Sequence, residues 1–286
     1  MAFVGIALRR SAPRCLGRAA RRATRRSFLR ERVGSQPKSM AAAIYSRQFV
    51  TAGAAEPLLP PQTAEDEGKL TVVLDMDETL IHSIFAGESD RDGQFRQQEL
   101  RRRASRLQQH DELQTFSVVL PGGETEVTVK TNKRPHLDRF LARLRERCEL
   151  VIFTAAVPQY ANCVLDVLDP TGDVFAHRLY RGACTNRNGY YLKDLAVVNR
   201  DIRRTVLVDN NNLCFLPQPA NGIPIGNFFD DVHDNELLRV ADLIEGELAD
   251  LGDVRLALNQ RFDLERQLAV CRELIYTSDV AEEASE

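Results

Sequence analysis

Two carboxylates stand two residues apart in Asp75-Met76-Asp77-Glu78-Thr79, directly after the apolar run LTVVL. If extended geometry continues past the run, Asp75 and Asp77 aim to the same side. Two carboxylates held close repel, and one takes a proton unless a cation intervenes. A hard divalent cation with oxygen ligands removes that conflict, and magnesium favours a few carboxylates together with water and substrate phosphate. Asp209 closes a second apolar run, TVLVD, with Asn210 beside it as a neutral oxygen donor. A helix N-cap accounts for one aspartate, but not for a close pair plus a third at another strand end. A carboxylate is a competent nucleophile for phosphorus and yields an aspartyl-phosphate. A second carboxyl group, protonated in the first step, can donate to the leaving alcohol and later deprotonate the attacking water. The transferring group then needs fixed donors around it. Thr154, which ends VIFT, offers a hydroxyl and a backbone N–H, and Lys193 in YYLKD offers a positive charge. The chemistry expected is magnesium-dependent phosphoryl transfer.

These residues need a scaffold that brings strand ends together. LTVVL, ELVIF and TVLVD are short continuous apolar runs, as buried parallel strands require, and each is followed by a helical stretch. That order indicates an α/β fold with a mainly parallel sheet, whose site lies beyond the carboxyl ends of the strands. Asp75, Thr154 and Asp209 occupy those ends. HLDRFLARLRERC places Leu137, Phe140, Leu141 and Leu144 at helical spacing, and TFSVVLPGGETEVTVKTN alternates about Pro-Gly-Gly as a hairpin does. DNELLRVADLIEGELADL and DVRLALNQRFDLERQLAVCRELI follow as amphipathic helices.

Four regions are expected. Residues 1–55 carry 12 Lys+Arg against one acid, Glu31, a composition suited to a mitochondrial or plastid transit peptide, with a nuclear-targeting patch as the alternative. Residues 56–69, with three prolines, read as an extended linker. Residues 70–250 form the catalytic domain and residues 251–286 a helical extension with an acidic tail. Residues 86–111, polar and charged, form an insert after the first strand region. Outside residues 1–55 the chain is acidic, which argues against general nucleic-acid binding. No stretch is long and apolar enough to span a bilayer. The six cysteines (Cys15, Cys148, Cys163, Cys184, Cys214 and Cys271) show neither zinc nor disulfide spacing.

DMDET resembles the first motif of the haloacid dehalogenase-type superfamily. DMDETLIHS, KRP, VIFTAAVPQYA, RLYRGAC, YLKDL, VLVDNN and NFFDD together resemble the small C-terminal-domain phosphatase and Nuclear-LIM-interactor-interacting-factor family over about residues 70–250. The resemblance implies a Rossmannoid three-layer fold with a β-hairpin insert. It also implies Asp75 as nucleophile and Asp77 as general acid/base, with Thr79 supporting the nucleophile loop. Thr154 and Lys193 would hold the phosphate. Magnesium would be bound by Asp75, the backbone carbonyl of Asp77, Asp209 and Asn210.

The inserts around the site are too short for a full capping domain, so the site should be open and take a phosphorylated protein side chain rather than a metabolite. The resemblance points to phosphoserine or phosphothreonine next to proline, with Phe85, Val157 and Tyr160 lining the peptide pocket and Arg181 near a phosphate. Those four could equally be ordinary core or surface residues, and the charged insert departs from the family's compact pattern. His82 is expected to be a packed structural histidine. Two rivals are a small-molecule phosphatase and a presequence-binding subunit of the mitochondrial inner-membrane translocase, which has the same fold. Such subunits usually lose the aspartates that are intact here.

Overall fold

The computed structural model describes residues 57–85, 113–120 and 127–283. The basic segment 1–55, the charged insert 86–111 and the Pro-Gly-Gly turn lie outside the described residues.

The centre is a five-stranded parallel sheet. Its strands are β1 (Leu70–Leu74), β5 (Cys148–Phe153), β6 (His177–Leu179), β9 (Thr205–Asp209) and β10 (Gly222–Pro224), in the order β10-β9-β1-β5-β6. Every residue of β1, β5 and β9 is buried, as expected of strands covered on both faces. The chain builds outward from β1 through β5 to β6, then returns to the other flank for β9 and β10. The crevice of such a sheet opens where that order reverses, at the carboxyl ends beside β1.

Alternate residues of the strands feed two cores. Val72, Leu74, Leu150, Ile152, Val206 and Val208 face one layer. It contains α1 (Leu137–Arg147), α2 (Pro158–Leu168) and α3 (Glu236–Leu243), the last continuing into a π-helical turn at Ile244–Leu248. Val73, Val151, Phe153 and Leu207 face the other, with Phe215, Leu264 and Leu268. The three-layer α/β expectation holds.

The C-terminal helical stretch is two helices, α4 (Arg255–Phe262) and α5 (Leu264–Glu283). Asp263, at φ 49°, interrupts them in the left-handed region. That conformation lets its N–H close on the Asn259 carbonyl at 2.9 Å, and aspartate tolerates it better than most residues. The helical period cannot show a one-residue break of this kind. α5 lies so close to β10 that a Cβ on Gly222 would stand 2.7 Å from side-chain atoms of both Leu264 and Phe215.

The expected hairpin is present as β3 (Thr115–Leu120) paired antiparallel with β4 (Val127–Lys133). A third strand, β2 (Ile81–Phe85), pairs on the other edge of β4, giving a small sheet in the order β2-β4-β3. A second hairpin, β7 (Thr185–Arg187) and β8 (Tyr190–Leu192), turns on Asn188 (φ 52°) and Gly189 (φ 80°). Positive φ at both central residues suits a tight two-residue connection, and Asn-Gly is its preferred pair. This hairpin delivers Lys193.

Residues 57–69 run along the body. Leu59 is buried, the Leu58 N–H donates to the Val197 carbonyl at 2.7 Å, and Gln62 donates to Glu149 at 3.0 Å. Glu149, near the amino end of β5, is buried and takes a forked pair of bonds from Arg200, at 2.7 and 2.5 Å, and a third from the Thr71 hydroxyl at 2.8 Å. Among the described residues no helix is long and apolar enough to cross a membrane.

Candidate active site

The carboxyl end of β1 hands over to Asp75, whose N–H still reaches the Val208 carbonyl of β9 at 3.0 Å. The chain then doubles back on itself. Leu80 and Ile81 donate their N–H groups to the Met76 carbonyl at 2.9 and 3.2 Å, and the Glu78 N–H reaches the Ile81 carbonyl at 2.7 Å. The reversal puts Glu78 in the left-handed region at φ 59°, a conformation uncommon for a residue with a Cβ.

Thr79 sits under this turn with no exposed surface. Its hydroxyl lies 3.1 Å from Oδ2 of Asp75 and 3.1 Å from Oδ1 of Asn210, and it accepts the Asn210 N–H at 3.2 Å. A hydroxyl has a single proton to donate, so it serves one of those oxygens at a time.

Lys193, fully buried beyond β8, places its Nζ 2.6 Å from Oδ1 of Asp75 and 2.6 Å from Oδ2 of Asp209. The ends of β1 and β9 are thus bridged by one ammonium. Asp209 completes its shell by accepting the Asn211 N–H at 2.7 Å. Burial pushes the Asp75 carboxyl up to about 7; Lys193 pulls against that, while Asp209 and Asp77 add to it. The ammonium itself, penalised by burial, is held above its ordinary range by Asp209 and Asp75.

Asp77 is raised to about 6, chiefly by burial, with the Tyr160 hydrogen bond opposing and Glu78 reinforcing the shift. The Tyr160 hydroxyl donates to Asp77 Oδ1 at 2.6 Å, and burial and the neighbouring carboxylate hold the phenol protonated well above its usual range. Tyr160, expected in a peptide pocket, therefore also touches the acid/base candidate. The Phe85 ring leans on it at 5.3 Å between centroids. Val157 lies one turn earlier, at the N-cap of α2, half-buried against the same core.

Thr154 stands at the end of β5, but its N–H is engaged by the Leu179 carbonyl of β6 at 2.9 Å. Its hydroxyl accepts the Ala156 N–H at 3.0 Å and keeps a proton to donate. Arg181 is exposed beyond it, its Nε bonded to the Ala155 carbonyl at 2.5 Å and its guanidinium 5.2 Å over the Tyr191 ring. His82 lies 3.1 Å from the Glu78 carboxylate and edge-on to Phe229 at 5.1 Å, the packed position expected of it.

Magnesium fits this donor set. Asp75 and Asp209, both buried, share the Lys193 ammonium, and the half-buried Asp77 adds a third carboxylate beside them, a negative excess that a hard divalent cation offsets. Among the described residues no group of three His, Cys, Asp or Glu forms a cage by itself. A cation here would draw on the Asn210 and backbone oxygens, water and a substrate phosphate, the mixed shell that magnesium favours.

One residue of the site was not singled out as functional from sequence. Arg134, directly after β4, is buried with its side chain against the turn that follows Asp75. Nε and Nη2 bond Asp234 at 2.8 and 2.7 Å, Nη1 bonds the Thr79 carbonyl at 3.0 Å, and the guanidinium lies 5.6 Å from the Phe228 ring centroid. An arginine in Lys-Arg-Pro reads locally as a solvated turn. Its partner stands a hundred residues away, and only the fold brings the two together.

The chain matches the family model for NLI interacting factor-like phosphatase over residues 70–255. It is 38% identical over 203 residues to the carboxy-terminal domain RNA polymerase II polypeptide A small phosphatase 2 of Mus musculus, covering 71% of this chain and 66% of that protein. It is 38% identical over 204 residues to a probable C-terminal domain small phosphatase of Dictyostelium discoideum, covering 71% of this chain and 58% of the relative. The match thus spans less than two thirds of each relative's length. Among solved structures, the fission yeast RNA polymerase II C-terminal-domain phosphatase Fcp1, bound to beryllium fluoride, superposes with a TM-score of 0.50 at 17% identity. The superposition covers 68% of this chain and 71% of that one, a likeness of fold. These relatives overturn the mitochondrial placement of the chain. The mouse protein is named for RNA polymerase II, which works in the nucleus, and the arginine-rich composition of residues 1–55 suits an organelle address and a nuclear basic patch alike.

Proposed function

Because the chain belongs to the NLI interacting factor-like phosphatase family, we propose that it is a magnesium-dependent phosphoprotein serine/threonine phosphatase acting through an aspartyl-phosphate on Asp75. The observation that carries this reading is the Lys193 ammonium, 2.6 Å from both Asp75 and Asp209 at adjacent strand ends.

In the first step an oxygen of the Asp75 carboxylate attacks phosphorus and the bond to the serine or threonine oxygen breaks. The leaving alkoxide takes a proton from Asp77, whose raised pKa, about 6, lets it carry one nearer neutrality than an ordinary aspartate does. In the second step Asp77, now ionised, accepts a proton from the water that attacks the aspartyl-phosphate, releasing inorganic phosphate and restoring Asp75. Lys193 favours the charged form of Asp75 before attack, against the effect of burial, and offers its N–H groups to the phosphoryl oxygens as charge moves off the carboxylate. Thr154 contributes its hydroxyl, and Thr79 fixes the Asp75 rotamer. Magnesium, held by Asp75, the Asp77 carbonyl, Asp209 and Asn210, would offset the charge of the phosphoryl group against that of the carboxylates.

A phosphorylated protein side chain suits the site better than a metabolite. The aromatic pair Phe85–Tyr160 stands directly beside the acid/base, where a residue neighbouring the phosphoserine, proline among the candidates, would pack. Val157 would extend that wall, and Arg181, exposed and bonded to the Ala155 carbonyl, would reach toward a substrate phosphate. The relatives' names make phosphorylated repeats of an RNA polymerase II C-terminal domain the first substrate to try. A presequence-binding role draws no support from relatives named as phosphatases.

The test is hydrolysis of para-nitrophenyl phosphate by wild type and Asp75→Asn, with and without magnesium. We expect activity only for wild type with the metal; equal background rates in all four arms would overturn the reading.

A further inference from the structure

We infer that Arg134 is a positioning residue for this site: its buried guanidinium locks the turn carrying Asp77 and Thr79 against the loop over residues 226–235. The inference rests on the phosphatase reading. Both main-chain carbonyls at the apex of the turn are held by groups from outside it. The Glu78 carbonyl accepts the Phe228 N–H at 2.8 Å, and the Thr79 carbonyl accepts Arg134 Nη1 at 3.0 Å. The Arg134 N–H adds a third tie, to the Leu80 carbonyl at 3.0 Å.

The rest of the fork is bidentate on Asp234, whose Oδ1 also takes the Glu236 N–H at 2.9 Å where α3 begins. The guanidinium therefore joins three pieces of chain: the catalytic turn, the Phe228 loop and the start of α3. Only a planar group with several donors in fixed directions can grip a carboxylate bidentately and a separate carbonyl together; an ammonium cannot. A purely stabilising ion pair is the bland alternative, and buried pairs are poor stabilisers against apolar replacements. The third bond also falls on Thr79, whose hydroxyl touches Asp75, two residues from Asp77. The turn needs such a grip because Glu78 is left-handed within it.

The experiment compares kcat and KM for para-nitrophenyl phosphate with magnesium, well below each variant's unfolding midpoint, for the full chain. Glu149→Gln is the reference, because it breaks a buried pair at the opposite end of the strands. Displacing a catalytic group by about 1 Å costs up to roughly a hundredfold in rate. Arg134→Lys should therefore lose at least about tenfold in kcat with KM within about threefold, while Glu149→Gln keeps kcat near wild type despite a lower midpoint. Should Arg134→Lys not fold, Asp234→Asn takes its place under the same thresholds, since it keeps the guanidinium and loosens the fork. A kcat within about twofold of wild type, or an equal loss in Glu149→Gln, would overturn the inference alone. A wild type no faster than Asp75→Asn would overturn the phosphatase reading, and the inference with it.

Discussion

The Tyr160 hydroxyl donates to Oδ1 of Asp77 at 2.6 Å, so the first turn of α2 reaches the proposed acid/base directly. Burial raises the Asp77 carboxyl and this hydrogen bond draws it back toward its ordinary value. Tyr160→Phe keeps the ring against Phe85 and removes the hydroxyl that donates to Asp77, so the Asp77 pKa should climb above the wild-type value of about 6. The protonated form then persists to higher pH, and the limb of kcat/KM that falls with rising pH should move the same way. A pH profile of the two proteins checks this; an unmoved or acid-shifted limb contradicts it.

Lys193 sets one ammonium between two buried carboxylates, and removing one partner of a buried pair typically costs about 3–5 kcal/mol. Lys193→Met should lose that much stability near neutral pH, together with activity. Asp75 already has a folded pKa of about 7 against an ordinary 3.8, and loss of the ammonium raises it further. A raised carboxyl favours the folded state below its ordinary value and ceases to as pH rises through the folded one. The deficit relative to wild type should therefore be smaller at pH 5 than at pH 8, as urea unfolding at the two pH values would show.

Thr79 acts through its hydroxyl, which donates to Asp75 or to the Asn210 side chain and accepts the Asn210 N–H. Thr79→Val keeps the shape and strands those partners, so kcat should fall roughly ten- to a hundredfold, the scale of a lost hydrogen bond to a charged group. Thr79→Ser should recover most of it. Comparable rates in the valine and serine variants would show that the methyl, not the hydroxyl, is what the turn needs.

At the other end of the sheet the test is one of stability. Burial would raise the Glu149 carboxyl, but bonds from Arg200, Gln62 and Thr71 outweigh it and hold the group below its ordinary range. Such a carboxylate stabilises the fold above its ordinary pKa, and the contribution fades as pH falls through the lower folded value. Glu149→Gln should be destabilised by about 3 kcal/mol at pH 7, because Arg200 stays buried without its charge partner. The gap to wild type should close in acid, a trend that thermal melts from pH 7 down to pH 3 would reveal.

The strands were legible because burial on both faces writes itself as continuous apolar runs, and the site residues because they end those runs. Asp75, Thr154 and Asp209 needed nothing beyond that pattern and the rule of carboxyl ends. Lys193 is different. Its own surroundings in the sequence resemble a surface loop, and the Asn188-Gly189 hairpin that aims it inward is too short for a periodicity to register. β2 was overlooked for a related reason: IHSIF has one fully buried residue, so it lacks the alternation of a half-buried strand. Arg134 and Tyr160 act through partners about 80 to 100 residues distant, and no local signal encodes a bond of that separation.

The segment at residues 57–69 bears on where this unit of folding starts. The family-model match begins at Leu70, the first residue of β1. Leu59 and Gln62 nonetheless supply a core side chain and a bond to Glu149, and Arg200 and Asn199 are committed to carbonyls of Pro60 and Leu59. A chain trimmed to the homologous boundary would keep every catalytic group and yet uncover apolar surface and unpair donors beneath the sheet. The stretch that packs with the domain therefore includes Leu59 and Gln62, upstream of the family match that starts at Leu70.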